Sequence, residues 1–257
     1  MIVRKEASGI VLVGQTDHSR LVGQFAAHWG NARFESVQPY DSVVRAAVYH
    51  DYGWLSYETN PIVNDAGETP DFRQVGAKQL ASYQWCVDWM TGIDRYSGLI
   101  VSMHRTGLWR QRYGTITYPT AFNPRALSDE TEDFIKRHEA WQEEEQRHLD
   151  PAQVHINYRL LQVWDLLGLY FCCADPTDDR IEPVPQSYRA GKGEGITLKL
   201  KPEGKRKVAF DPYPFDARPL KVQLTSKHLP AAKWPDLASF RRDYFQAPTE
   251  IMEFELV

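Results

Sequence analysis

One segment constrains the fold more than any other. From Asp150-Pro151 the chain enters Leu160-Leu161-Gln162-Val163-Trp164-Asp165-Leu166-Leu167-Gly168-Leu169-Tyr170-Phe171. A helix this apolar on every side cannot lie on a surface, so it is expected to be buried nearly all round. Asp165 is its lone charge. A carboxylate there is unfavourable by several kcal/mol unless it meets a cation, a donor network or a metal. Its partners must come from elsewhere in the chain.

A second helix supplies two of them. In Val43-Val44-Arg45-Ala46-Ala47-Val48-Tyr49-His50-Asp51-Tyr52-Gly53-Trp54, the residues Val44, Ala47, Val48 and Asp51 follow an i, i+3, i+4, i+7 pattern, one face of a 3.6-residue period. The spacing predicts a helix capped at Gly53, with His50 and Asp51 on its last turn. Neighbours on a helix diverge by about 100°, so both reach one point only if it lies against the helix end. Upstream, Gln15-Thr16-Asp17 offers capping side chains to a helix from about His18 to Trp29. His18 shares its inner stripe with Leu21, Val22 and Phe25.

The remaining elements are read in the same way. Met1 to Val3 and Gly9 to Gly14 are expected as strands, residues Glu58 to Asp71 as a loop, and Arg73 to Met90 as a helix. Leu99 to His104 is an apolar segment ending in a histidine, and Ser128-Asp129-Glu130 opens a helix with acids in its first turn. Asp175 to Gly195 is a Pro-, Asp- and Gly-rich connector. Strands are expected at Ile196–Leu200 and Arg206–Phe210, joined as a hairpin, and at Leu220–Thr225 and Ile251–Leu256. The expected architecture is mainly α: one domain over residues 1–257, with an all-α core at about 16–174. A small antiparallel sheet would form beside it from strands in 1–14 and about 195–257.

Composition excludes several function classes. The net charge of −4 argues against binding a nucleic-acid duplex, which needs a basic face. No run approaches the roughly 18–20 apolar residues of a membrane span, and Met1-Ile2-Val3-Arg4-Lys5-Glu6 lacks the apolar stretch of a signal peptide. Cys86, Cys172 and Cys173 form neither a disulfide framework nor a CxxC zinc motif. A cytoplasmic protein is expected, its oligomeric state left open. Charge is unusual in one place: Arg105, Arg110, Arg112 and Arg125 occur with no acidic residue between Arg105 and Leu127. Gly107, Gly114, Pro119 and Pro124 make that stretch read as a loop. Guanidinium forks there suit a small anionic substrate, or else pair with acids elsewhere on the surface.

His18, His50, Asp51 and Asp165 together offer nitrogen and oxygen donors suited to one divalent transition metal, manganese, iron, nickel or zinc. The alternative is a buried His–Asp hydrogen-bond network without an ion. The order His18, His50-Asp51, Asp165 resembles the HD-domain superfamily of metal-dependent phosphohydrolases. The fuller pattern Gln15-Thr16-Asp17-His18, Tyr49-His50-Asp51-Tyr52-Gly53-Trp54 and Leu166-Leu167-Gly168-Leu169-Tyr170-Phe171-Cys172 is most similar to a family of HD-like proteins of unknown function. The resemblance implies an HD-like helical bundle whose four matching residues bind a metal that activates water against a phosphoester. Members with two metals carry further histidines, for which only His104 is in a comparable place. On this reading His104 and Arg105 are catalytic, and Arg110, Arg112 and Arg125 bind substrate. Two other functions fit the same residues: a non-haem iron oxygenase, and a ligand-binding sensor without turnover.

Overall fold

The computed structural model describes residues 1–75, 79–110, 127–176, 180–184 and 196–257. Strands β1 (Ile2–Glu6) and β2 (Gly9–Val13) form a hairpin that leads directly into helix α1 (Gln15–Ala27). Helix α2 (Tyr40–Tyr49) follows, then a 3-10 turn at Tyr52–Trp54 and the short α3 (Leu55–Thr59) and α4 (Phe72–Val75). Helices α5 (Leu80–Ile93), α6 (Arg95–Trp109), α7 (Asp129–Gln146) and α8 (Pro151–Cys172) complete the helical layer. The chain ends in β3 (Arg180–Val184), β4 (Ile196–Pro202), β5 (Lys207–Asp211), β6 (Leu220–Leu229), α9 (Leu237–Gln246) and β7 (Thr249–Leu256).

Side-chain caps open α6, α7 and α8, whereas α1 starts at Gln15 behind Gly14 with no side-chain cap, so Gln15, Thr16 and Asp17 lie within the helix they are expected to cap. Asp94 accepts a hydrogen bond from the Ser97 amide at 2.6 Å to open α6. Ser128 does the same for Thr131 in α7 at 3.3 Å. Asp150 accepts from Ala152 at 2.9 Å, with Pro151 in the first turn of α8, where its missing N–H leaves no donor unsatisfied. Helix α8 is the axis of the structure. Every residue from Leu160 to Gly168 is buried, and each fully buried leucine contributes about 1.5–3 kcal/mol. Trp164 packs edge-on to Trp29 at 5.7 Å, and Phe171 contacts Phe25 in α1 and Phe254 in β7.

The sheet is the main correction to the expected architecture. Among the described residues it has seven strands in the order β1-β2-β6-β7-β5-β4-β3, so the protein is not an all-α bundle with a small antiparallel accessory. The sheet is also mixed, because β5 and β7 pair in parallel, with Lys207 opposite Glu255. Two features of the sequence conceal this. Strand β3, which contains Pro183, lies inside the stretch that reads as a connector, and nothing in local pattern shows that β7 inserts between β6 and β5. Strand β6 alternates cleanly, burying Leu220, Val222 and Leu224 while Lys221 and Gln223 face water. Those inner residues share one core with α1 and α8. The N-terminal half of the sheet is covered on its other side too, where Ile10, Leu12 and Leu229 pack against Phe240 and Tyr244 of α9. That two-sided cover explains the unbroken apolar run of β2.

Helix boundaries also differ from expectation: where one helix is expected over Arg73 to Met90, the described residues form α4 at Phe72–Val75 and α5 at Leu80–Ile93. Helix α2 stops at Tyr49 rather than running to the glycine at 53, and α6 continues through Arg105 to Trp109 where a loop is expected. Among the described residues, no helix is long and apolar enough to cross a membrane.

Candidate metal centre

The early end of α2 shapes the site. His50 keeps helical backbone angles (φ −56°, ψ −29°), but Asp51 leaves them (φ −104°, ψ 14°) as the chain enters the 3-10 turn. The 100° divergence of helical neighbours therefore does not apply, and both side chains turn toward α8. The Asp51 amide donates to Ser19 Oγ at 3.1 Å, which ties the turn to α1. His18 projects from the same helix among Leu21, Val22 and Phe25. Asp165 meets it from α8, 147 positions further along the chain. One donor atom from each of His18, His50, Asp51 and Asp165 lies within 4.8 Å of the others, and all four residues are buried.

Hydrogen bonding fixes what His50 presents. Its Nδ1 lies 2.8 Å from the Ala47 carbonyl, which can only accept, so Nδ1 carries the proton and Nε2 bears a lone pair. That lone pair faces Asp165 Oδ1 at 3.2 Å and Asp51 Oδ2 at 3.7 Å. A second proton on the ring would relieve the repulsion. Burial, however, lowers the pKa of His50 despite the nearby Asp165, so the ring stays neutral. Burial alone would raise the pKa of Asp165, yet interactions led by the hydrogen bond to His18 at 2.7 Å hold the carboxyl well below its ordinary range. Two carboxylate oxygens and the Nε2 lone pair of His50 thus converge on one buried point beside His18, a set of donors that suits a cation. Their separations run from 2.7 Å between His18 and Asp165 to at most 4.8 Å across the set, the range over which four donors bonded at about 2.0–2.2 Å could share one ion after small side-chain shifts.

Arg105 and His104 form the wall of the site. Arg105 donates through one terminal nitrogen to Asp51 Oδ1 and to the His50 carbonyl, the latter at 2.9 Å. Its guanidinium lies 4.2 Å from the centre of the Tyr83 ring. Burial lowers its pKa to about 9, which leaves it charged at neutral pH. The geometry makes Arg105 the partner of a candidate metal ligand. The His104 ring stands edge-on to His50 at 4.8 Å, and burial lowers its pKa to about 3. As a neutral imidazole it is suited to hydrogen-bond an oxygen rather than to deliver a proton from an imidazolium.

The other predicted arginines are not brought to this site. Arg110, just past α6, is held by Glu132 at 3.1 Å and Glu139 at 3.0 Å, both on α7. Its fork is taken up by carboxylates of the protein itself. Arg112 and Arg125 lie outside the described residues. A cleft of about 230 Å³, walled by Gln84, Asp88, Arg137, His138 and Trp141 among others, includes none of the candidate ligands. In its wall His138 is hydrogen-bonded to Ser102 and Gln84.

Sequence reading missed Gly168 as a site residue. A Cβ there would lie 2.6 Å from His18 Cε1 and 2.7 Å from Val22 Cγ2, so the absent side chain is what lets the His18 ring lie flat on α8. Overpacking of this kind typically destabilises by about 1–3 kcal/mol. We expect Gly168→Ala to lower stability by that amount and to weaken metal binding, read by thermal unfolding with and without metal. An unchanged metal response would show that His18 does not depend on the gap.

A protein-family model described as "Protein of unknown function (DUF3891)" matches residues 1–231, which include all four candidate ligands and leave α9 and β7 outside. No curated protein and no solved structure matches the chain.

Proposed function

The chain belongs to that family of unknown function, so its own residues must carry the reading, and we propose that it is a hydrolase dependent on one divalent transition metal. The observation that supports this most is the His50 Nε2 lone pair, fixed by Ala47 and aimed at the Asp51 and Asp165 carboxylates. His18, His50, Asp51 and Asp165 would hold the ion. Once bound, such an ion lowers the pKa of a coordinated water and polarises a phosphoryl oxygen. The protein's own contributions are distinct. Ala47 sets the tautomer of His50, and Arg105 holds one Asp51 oxygen so that the other faces the donors. His104 packs its neutral imidazole edge-on against His50. Burial of all six side chains keeps water sparse, which strengthens each electrostatic interaction.

The proposed substrate is a phosphoester of a small anionic metabolite or nucleotide. That class rests on the order His18, His50-Asp51, Asp165 and its resemblance to HD-domain phosphohydrolases. Elemental analysis of the purified protein tests the metal, and a phosphoester screen with manganese, iron, nickel or zinc supplied tests the reaction. About one equivalent per chain and turnover of a phosphoester are expected. A folded protein that takes up none of these ions would reduce the cluster to a buried polar network and end the hydrolase reading.

A further inference from the structure

Helix α8 presents more than a ligand to His18. Asp165, Gly168 and Cys172 lie at i, i+3 and i+7, one face of that helix. Asp165 Oδ1 lies 2.7 Å from Nε2 of the ring, Gly168 leaves room for the ring itself, and Cys172 Sγ lies 3.6 Å from Nδ1. Cys172 is fully buried, as is His18. Both nitrogens of the imidazole are therefore engaged from a single helix face, one by an oxygen that only accepts and the other by a thiol that can donate or accept.

This differs from His50, whose Nδ1 faces a carbonyl and has no choice of tautomer. We propose that Cys172 is a positioning residue whose hydrogen bond to His18 reverses when metal binds. Without metal, Nε2–H of His18 donates to Asp165, and the thiol donates its proton to Nδ1. With metal on Nε2, the ring proton is on Nδ1 and donates to the sulfur, which accepts weakly. The two imidazoles thus begin as opposite tautomers and become alike on loading. This inference rests on the metal reading above, but its metal-free half does not.

Nitrogen-15 NMR of the histidine rings, in wild type and Cys172→Val with and without zinc, tests it. His18 signals are identified by their loss in His18→Asn. In metal-free wild type, His18 is expected as the Nε2–H tautomer and His50 as Nδ1–H, with zinc converting His18 to Nδ1–H. In Cys172→Val the metal-free preference of His18 is expected to weaken while His50, an internal control, stays unchanged. Zinc affinity is expected to fall about tenfold, the lower end of the usual loss for partners of metal-bound histidines. A wild-type His18 that is already Nδ1–H without metal would overturn the proposal. So would a folded Cys172→Val with wild-type shifts and affinity. If zinc, manganese, iron and nickel all fail to bind wild type, the metal reading falls and the reversal with it. If metal binds while His18 keeps its tautomer, only the reversal is wrong.

Discussion

Asp165→Asn is expected to remove the metal from the protein while leaving it folded, whereas Asp165→Ala should do both kinds of damage. Asparagine keeps an acceptor oxygen for the His18 Nε2–H, which lies 2.7 Å from the native carboxylate. It removes the charge that a divalent ion requires. Structural four-ligand zinc sites bind with about 10–16 kcal/mol, so one ligand carries about 3 kcal/mol, or about two orders of magnitude in affinity. Alanine also leaves the buried Nε2–H of His18 facing an empty space, and a buried donor without its partner typically destabilises by about 1–3 kcal/mol. For a chain of this size that corresponds to a melting point lower by roughly 5 °C. Elemental analysis beside thermal unfolding of the metal-free proteins separates the two effects. Should Asp165→Asn retain the wild-type metal content, Asp165 is not a ligand.

Arg105→Met should produce the opposite signature. The guanidinium is the charged partner of Asp51 and also donates to the His50 carbonyl. Methionine fills much of the same space but leaves a buried carboxylate without its cation, a loss of about 3–5 kcal/mol in the metal-free protein. A dication supplies the missing positive charge, so the rise in melting temperature on adding metal is expected to be larger in the variant than in wild type. Arg105→Lys is expected to rescue poorly. An ammonium lacks the planar guanidinium that lies over Tyr83 while one of its nitrogens reaches both Asp51 and His50. If metal-free Arg105→Met melted with wild type, the arginine would not be what holds Asp51.

His18, Asp51 and Asp165 were legible because each is a polar residue on a face that periodicity assigns to the core, and His50 as the neighbour of Asp51. His18 belongs to the Leu21, Val22, Phe25 stripe, and Asp165 interrupts the most apolar helix of the chain. Arg105 was legible as a site residue but at the start of a loop rather than within α6, because Gly107 reads as a helix breaker. In the structure Gly107 is a packing residue inside α6, where a Cβ would collide with the Tyr158 hydroxyl. Helix α9 was missed although Asp236 caps it and Leu237, Phe240 and Tyr244 follow a helical period. Pairing was the least accessible level. Alternation reveals that β6 and β7 are strands, but which strand lies beside which depends on the whole core, and a parallel neighbour such as β5 leaves no local mark.

The order of strands has a consequence for how the chain is made. Strand β7 is the last element of the sequence and the middle one of the sheet, joined to β6 on one side and β5 on the other. A nascent chain emerging from the ribosome can gather its helices early. It then holds two unjoined pieces of sheet, β1-β2-β6 and β5-β4-β3, each with a bare edge of the kind that recruits foreign strands. Both edges stay open to aggregation until residues 249–256 emerge and close the gap between them.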